Sequence, residues 1–186
     1  MRSIPTGYKE MKIGPVRVMF IYHTGMSQSP STEATDMGIV KCCREQVVAV
    51  SPDTPAVEVA RIMGEKNVGS VVVVTGDNRP TGILTDRDLA VRVMAQEKNP
   101  GEVRAGDILT RDVITFQDSM GVYEAIQKMT TEGIRRMPIT DDNGRLIGIV
   151  TMDDIIRMLG EEMAAIAKNI EKQSPPMQKE RPPIPM

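Results

Sequence analysis

One eight-residue pattern occurs twice in this chain, as GILTDRDL from Gly82 and as GIVTMDDI from Gly148. An offset of 66 residues lays Gly82 on Gly148, Ile83 on Ile149, Thr85 on Thr151 and Asp88 on Asp154. The same offset superimposes Val47 on Val113, Glu58 on Glu124, Met63 on Met129 and Arg79 on Arg145. Other pairs match in class, as where NVGSVVVV falls over GIRRMPIT. No gap is needed from residue 47 to about 90, so the chain carries one structural unit in duplicate.

Each copy reads as β-α-β-β-α. A β-branched stretch (QVVAV, DVITF) predicts a strand, and a helix follows whose apolar positions Val59, Ile62 and Met63, or Ala125 and Met129, recur at helical spacing. A second strand (SVVVV, RRMPI), a turn of Asp, Asn and Gly, and a third strand (TGILT, LIGIV) lead into a second helix after Thr85 or Thr151. A unit of roughly 50 residues buries too little surface to stand alone comfortably. The expected fold is therefore mixed α/β, with two tandem repeats sharing one core about a pseudo-twofold axis. The expected organisation is an N-terminal extension (1–37), a first repeat (38–98), a second repeat (99–160), and a C-terminal helix with a proline-rich tail (161–186).

Composition removes several function classes. The formal charge is −2 and the charges are interspersed, without the basic stripe that nucleic-acid binding requires. No apolar run is long enough to span a bilayer, and Glu10 and Arg17 interrupt the leader, so neither a membrane segment nor a secretory signal is expected. The expected location is cytoplasmic. Cys42 and Cys43, the only cysteines, are adjacent and read as small apolar packing residues; His23 is the only histidine. These offer no metal-ligand set and no Cys–His pair, and no phosphate-cradling loop of the P-loop type is present, so catalysis is not expected.

Thr-x-x-Asp at a strand-to-helix junction has two readings. As a capping box, the threonine hydroxyl accepts an orphan N–H of the first turn and the acid suits the positive helix end. As a ligand site, the same helix end attracts phosphate, the hydroxyl adds a hydrogen bond, and the carboxylate suits ribose hydroxyls. The glycine that begins each motif allows a ligand or another backbone to approach closely. Both readings can hold together.

The duplicated Gly-x-x-Thr-x-x-Asp motif, with VGSVVVV and GIRRMPI in register, resembles the cystathionine-β-synthase (CBS) domain in its tandem form, the Bateman module, over residues 38 to 160. The resemblance implies two clefts binding an adenosyl ligand, commonly AMP, ADP or ATP, with the motif Asp on the ribose and the Thr near phosphate. It implies a first cleft of Thr85, Arg87 and Asp88 facing Met120, Ile134, Arg135, Arg136 and Met137. It implies a second of Thr151 and Asp154 facing Thr54, Val68, Gly69, Ser70 and Val71. The paired arginines favour the first cleft for phosphate, and Asp153 counts against the second. The function implied is a stand-alone regulatory module, a homodimer, that modulates an unidentified partner; the alternative is a ligand-free dimerisation or interaction module.

The ends are less patterned. The leader reads as an arm, a helix packed on the module, or upstream sequence. DDIIRMLGEEMAAIAKNIEKQ reads as an amphipathic helix whose Ile156, Leu159, Met163, Ile166 and Ile170 step by three and four, either a lid on the module or a dimer seam. The tail SPPMQKERPPIPM is of polyproline or disordered type.

Overall fold

Alternation along single strands sets the layering. In the strand Ser70–Val74 all four valines are buried, but Val71 and Val73 join one apolar cluster and Val72 and Val74 another. A strand covered on both faces needs apolar residues at consecutive positions, which is why SVVVV does not alternate with polar residues.

The structure is a computed structural model that describes residues 6–13, 16–23 and 47–173, the first two segments as backbone only. Cys42, Cys43 and the tail from residue 174 lie outside the described residues, as does the His23 side chain. In chain order the strands and helices are β1 (Thr6–Ile13), β2 (Val16–His23), β3 (Val47–Val50), α1 (Ala56–Lys66), β4 (Ser70–Val74), β5 (Pro80–Thr85), α2 (Asp86–Arg92) and α3 (Ala105–Ile108). The second half continues with β6 (Phe116–Gln117), α4 (Val122–Glu132), β7 (Arg136–Thr140), β8 (Leu146–Thr151) and α5 (Met152–Gln173). The mixed α/β fold with two β-α-β-β-α repeats is thus the one observed: β3-α1-β4-β5-α2 and β6-α4-β7-β8-α5.

The offset of 66 holds at the level of hydrogen-bond register. β3 pairs parallel with β4 and β6 with β7, while β4–β5 and β7–β8 are antiparallel. Val72 opposes Ile83 as Pro138 opposes Ile149, and the register shifts after Val73 and again after Ile139. Left-handed backbone recurs in step, at Asn67 and Gly133 closing α1 and α4, and at Asn78 and Gly144 in the β-turns. Asparagine and glycine tolerate that conformation better than other residues.

Among the described residues three apolar clusters hold the fold together. One lies inside the first repeat, with Val48, Val50, Val59, Ile62 and Leu84. A second lies inside the other repeat, with Phe116, Ala125, Met129, Met137 and Ile139. The third, of Val47, Ala49, Val72, Val74, Leu146 and Ile149, joins the two and is the core they share. The junction is also pinned by hydrogen bonds from one side: Leu146 N–H donates to the Asn78 carbonyl (2.8 Å), and Asn78 Nδ2 donates to the Leu146 carbonyl (3.0 Å). The reciprocal bond cannot form, because Pro80 stands where Leu146 does and has no N–H.

A similar proline effect separates the first helices. Glu124 accepts the Gly121 N–H at the start of α4 (3.1 Å). At α1 the equivalent residue is Pro55, so Glu58 has no cap to close and pairs instead with Arg61.

The described part of the leader is neither a helix nor a loose arm, two of the readings the sequence offered. β1 and β2 form an antiparallel hairpin with Ile13 opposite Val16, and β2 adds to β3, giving a five-stranded sheet in the order β1-β2-β3-β4-β5. The segment VRVMFIY between Gly14-Pro15 and His23 is rich in β-branched and aromatic residues, which is the strand signal.

Candidate functional site

Both Thr-x-x-Asp motifs close as capping boxes. Thr85 ends β5 in extended backbone, so its hydroxyl can turn over the first turn of α2 and accept the Asp88 N–H (3.2 Å). Asp88 Oδ2 accepts in return from the Thr85 N–H (2.9 Å) and hydroxyl (2.6 Å). Thr151 and Asp154 repeat the arrangement at α5, with N–H donations of 3.2 Å in each direction and a Thr151 hydroxyl bond to Asp154 Oδ2. The remaining oxygens face arginines: Asp88 Oδ1 lies 3.3 Å from Arg92, and Asp154 Oδ1 lies 3.9 Å from Arg157. Asp154 is only 3% exposed. A Thr85→Ala variant is expected to lose about 1 kcal/mol of stability. A thermal melt should show this as a fall of roughly 2–4 °C.

A cavity of about 160 Å³ opens between the repeats on the Thr151 side. Its apolar wall comes from both halves, with Val47, Val48, Val68 and Val72 from the first and Ile149 from the second. Asn67, Gly69, Ser70, Arg136, Thr151 and Asp153 supply the polar lining. The volume lies below the roughly 300–1,000 Å³ of a pocket that swallows a whole drug-sized ligand. It suits one ring system, with the rest of a larger ligand outside.

The two arginines of GIRRMPI separate. Arg136 opens β7 opposite Thr151 and lines the cavity, and no described side chain pairs with its guanidinium. Arg135 lies beside the start of α5, where its carbonyl accepts the Met152 N–H (2.8 Å) and its guanidinium meets Asp153 (3.3 Å). The antiparallel β7–β8 ladder imposes this: with Arg136 opposite Thr151, Arg135 falls beside the next residues of the chain. Asp153, the carboxylate that counted in the sequence against anion binding in the second cleft, is paired with Arg135.

Other expected cleft residues are distributed by strand parity and by packing. Val68 and Ser70 line the cavity. Val71 and Met137 do not; each is fully buried in the cluster of its own repeat, and Val72, one step along, takes the cleft position instead. Met120 and Ile134 are half-buried against the second repeat's cluster, and Arg87 is exposed on the first turn of α2. Thr54 is 3% exposed beneath the link between repeats, where its carbonyl accepts the Ala105 N–H (2.8 Å). Its hydroxyl has no hydrogen-bond partner. Asn67, Val47, Val48 and Ile149 were not singled out from sequence. Asn67 carried a signal, since an asparagine between a helix and a strand marks a left-handed cap.

Among the described residues no group of His, Cys, Asp and Glu could hold a metal ion, and no helix is long and apolar enough to cross a membrane. The CBS domain family model matches twice in tandem, over residues 39–95 and 105–161. The chain belongs to the CBS domain family. Among its relatives, an uncharacterized protein of Methanopyrus kandleri is 46% identical over 136 residues, which is 73% of this chain and 69% of that protein. The CBS domain-containing protein YhcV of Bacillus subtilis is 34% identical over 131 residues, 69% of this chain and 91% of its own length. Among solved structures, the CBS domain pair of protein MJ0100, in complex with 5′-methylthioadenosine and S-adenosyl-L-methionine, superimposes with a TM-score of 0.60 at 28% identity. That match covers 68% of this chain and 98% of the other. The present chain is thus a CBS domain pair, a regulatory type of module.

Proposed function

We propose that this CBS pair is a sensor of a small adenosyl ligand held in the cavity beside Thr151. The observation that carries this is Arg136, a guanidinium without a described partner at the rim of an aliphatic cavity built by both repeats. An unpaired cation beside apolar surface favours an occupant that is flat and apolar at one end and anionic at the other. The base would lie against Val47, Val72 and Ile149, with Asn67, Ser70 and Thr151 toward the sugar and Arg136 toward the anion. Because the lining contributes one cation while Arg135 and Asp153 cancel, the ligand carries one anionic group rather than a triphosphate. S-adenosylmethionine and AMP fit this better than ADP or ATP, and the methylthioadenosine and S-adenosylmethionine bound by MJ0100 support the class.

An occupant touching both halves favours one arrangement of the repeats, and it does so only to the extent of its differential affinity for that arrangement. The module is regulatory and non-catalytic, acts as a homodimer in the cytoplasm, and passes the shift to a partner protein. Calorimetric titration with S-adenosylmethionine, methylthioadenosine, AMP and ATP tests the reading. Saturable binding of S-adenosylmethionine or AMP, each with one anionic group, ahead of ATP is expected; no heat and no thermal shift with any of them would end it. The second reading, a ligand-free interaction module, draws on the capping boxes, which already occupy both motif carboxylates.

A further inference from the structure

We infer that the β1–β2 hairpin is a working part of the ligand cavity: it holds the wall formed by Val47 and Val48, so that hairpin docking and ligand binding reinforce one another. This rests on the sensor reading above and adds to it a segment that precedes both matched repeats.

The two repeats supply an internal comparison. At the offset of 66, Val47 and Val48 correspond to Val113 and Ile114, so both pairs are β-branched and apolar. Yet Val47 and Val48 stand in β3, are 1% and 5% exposed, and line the cavity. Val113 and Ile114 stand in no strand and are half-buried, and β6 begins only at Phe116. Side-chain chemistry does not separate the two pairs; a neighbouring strand does. β2 sets Ile21 opposite Val47 and Phe20 opposite Val48, whereas the parallel ladder with β4 begins at Ala49. Among the described residues β6 pairs with β7 alone. The stretch of β3 that walls the cavity is therefore kept extended by the hairpin, because a strand this short needs a hydrogen-bonded neighbour to fix its backbone.

β2 also approaches β8, which brings Ile149 and Thr151 to the same cavity. The hairpin thus bears on the wall contributed by each repeat. An occupant resting on Val47, Val48 and Ile149 stabilises the two strands against which β2 is seated. Linkage makes the effect reciprocal: the factor by which the ligand favours a docked hairpin is the factor by which a docked hairpin favours the ligand. The order of the hairpin then reports whether the cavity is filled.

Hydrogen–deuterium exchange and calorimetry on the full chain test this, with S-adenosylmethionine, methylthioadenosine and AMP as probes. Saturation is expected to slow exchange in peptides spanning 16–23 and 47–50. Peptides within α4, which contributes nothing to the cavity lining, should keep their rate. Phe20→Pro disrupts the hairpin from within: β2 lies between β1 and β3, so loss of the N–H breaks one ladder or the other. It should weaken probe binding by about tenfold, inside the roughly 5–150-fold span of couplings between sites. Circular dichroism checks that the variant is folded; if it is not, exchange in the wild type decides alone. A probe that binds while hairpin exchange stays unchanged overturns the inference and leaves the sensor reading in place. So does a folded Phe20→Pro that binds as tightly as the wild type. If none of the probes binds, both readings fall.

Discussion

Gly82→Ala is expected to destabilise the chain by about 3 kcal/mol, the upper part of the range for forcing volume into a packed site. A methyl group placed there would lie 2.4 Å from Leu109 Cδ1 and 2.6 Å from the Thr110 carbonyl oxygen. The leucine end could rotate, but the carbonyl is fixed. The strand residue Ile83 donates its N–H to Thr110 (3.2 Å) and accepts the Thr110 N–H in return (2.9 Å), so β5 and the link between repeats are tied at that point. Relief of the clash therefore requires breaking a bridge as well as repacking a side chain. At this chain length the loss corresponds to roughly 6–12 °C in Tm. Gly64→Ala is the contrasting variant: it sits within α1 with nothing within 4 Å, and alanine there should stabilise by about 0.5–1 kcal/mol. Equal melting shifts for the two would refute the close-approach account.

Gly82 also illustrates what was legible in the sequence. Its place at the head of a duplicated motif indicated close approach by a ligand or by backbone, and the structure supplies backbone. The repeat order, the helix faces and both caps were readable because they depend on local spacing and on an offset that holds without gaps. Parity within a fully buried strand was not readable. Val71 and Val72 are chemically identical, as are Arg135 and Arg136, and only the strand-pairing register decides which faces the cleft. Sequence therefore grouped the two arginines, whereas the β7–β8 ladder sends one into the cavity and the other to Asp153. The hairpin of β1 and β2 was missed for another reason: it lies outside the repeat, so the duplication offered nothing to compare it with.

The asymmetry between the clefts follows from the same few residues. Position 136 holds arginine where the first copy has Ser70, and position 153 holds aspartate where the first copy has Arg87. The first substitution puts a cation on the Thr151 side together with Ser70 itself, since both line one cavity. The second would oppose an anion there, but the exposed Arg135–Asp153 pair cancels within itself. Exposed pairs of this kind contribute little to stability, so its role is to set the local charge.

Arg136→Ala is consequently expected to weaken binding of an adenosyl ligand with one anionic group, such as S-adenosylmethionine or AMP, by tenfold to a hundredfold. That is the range corresponding to loss of a charge-assisted hydrogen bond of about 1.5–3 kcal/mol. Arg136→Lys should recover part of the loss, because a lysine restores the charge but not the two-pronged donor geometry. Arg135→Ala should cost less than either, since its guanidinium is already engaged by Asp153 and largely solvated. Asp153→Asn makes the sharpest comparison. Removing that carboxylate releases Arg135 and leaves two positive charges near the cavity mouth, which should shift preference toward ATP relative to S-adenosylmethionine by a few-fold. Measured side by side by calorimetry, the series separates charge at the rim from packing in the cavity. Should Arg136→Ala bind as the wild type does, no anion is held at that guanidinium, and the sensor reading of the Thr151 side fails.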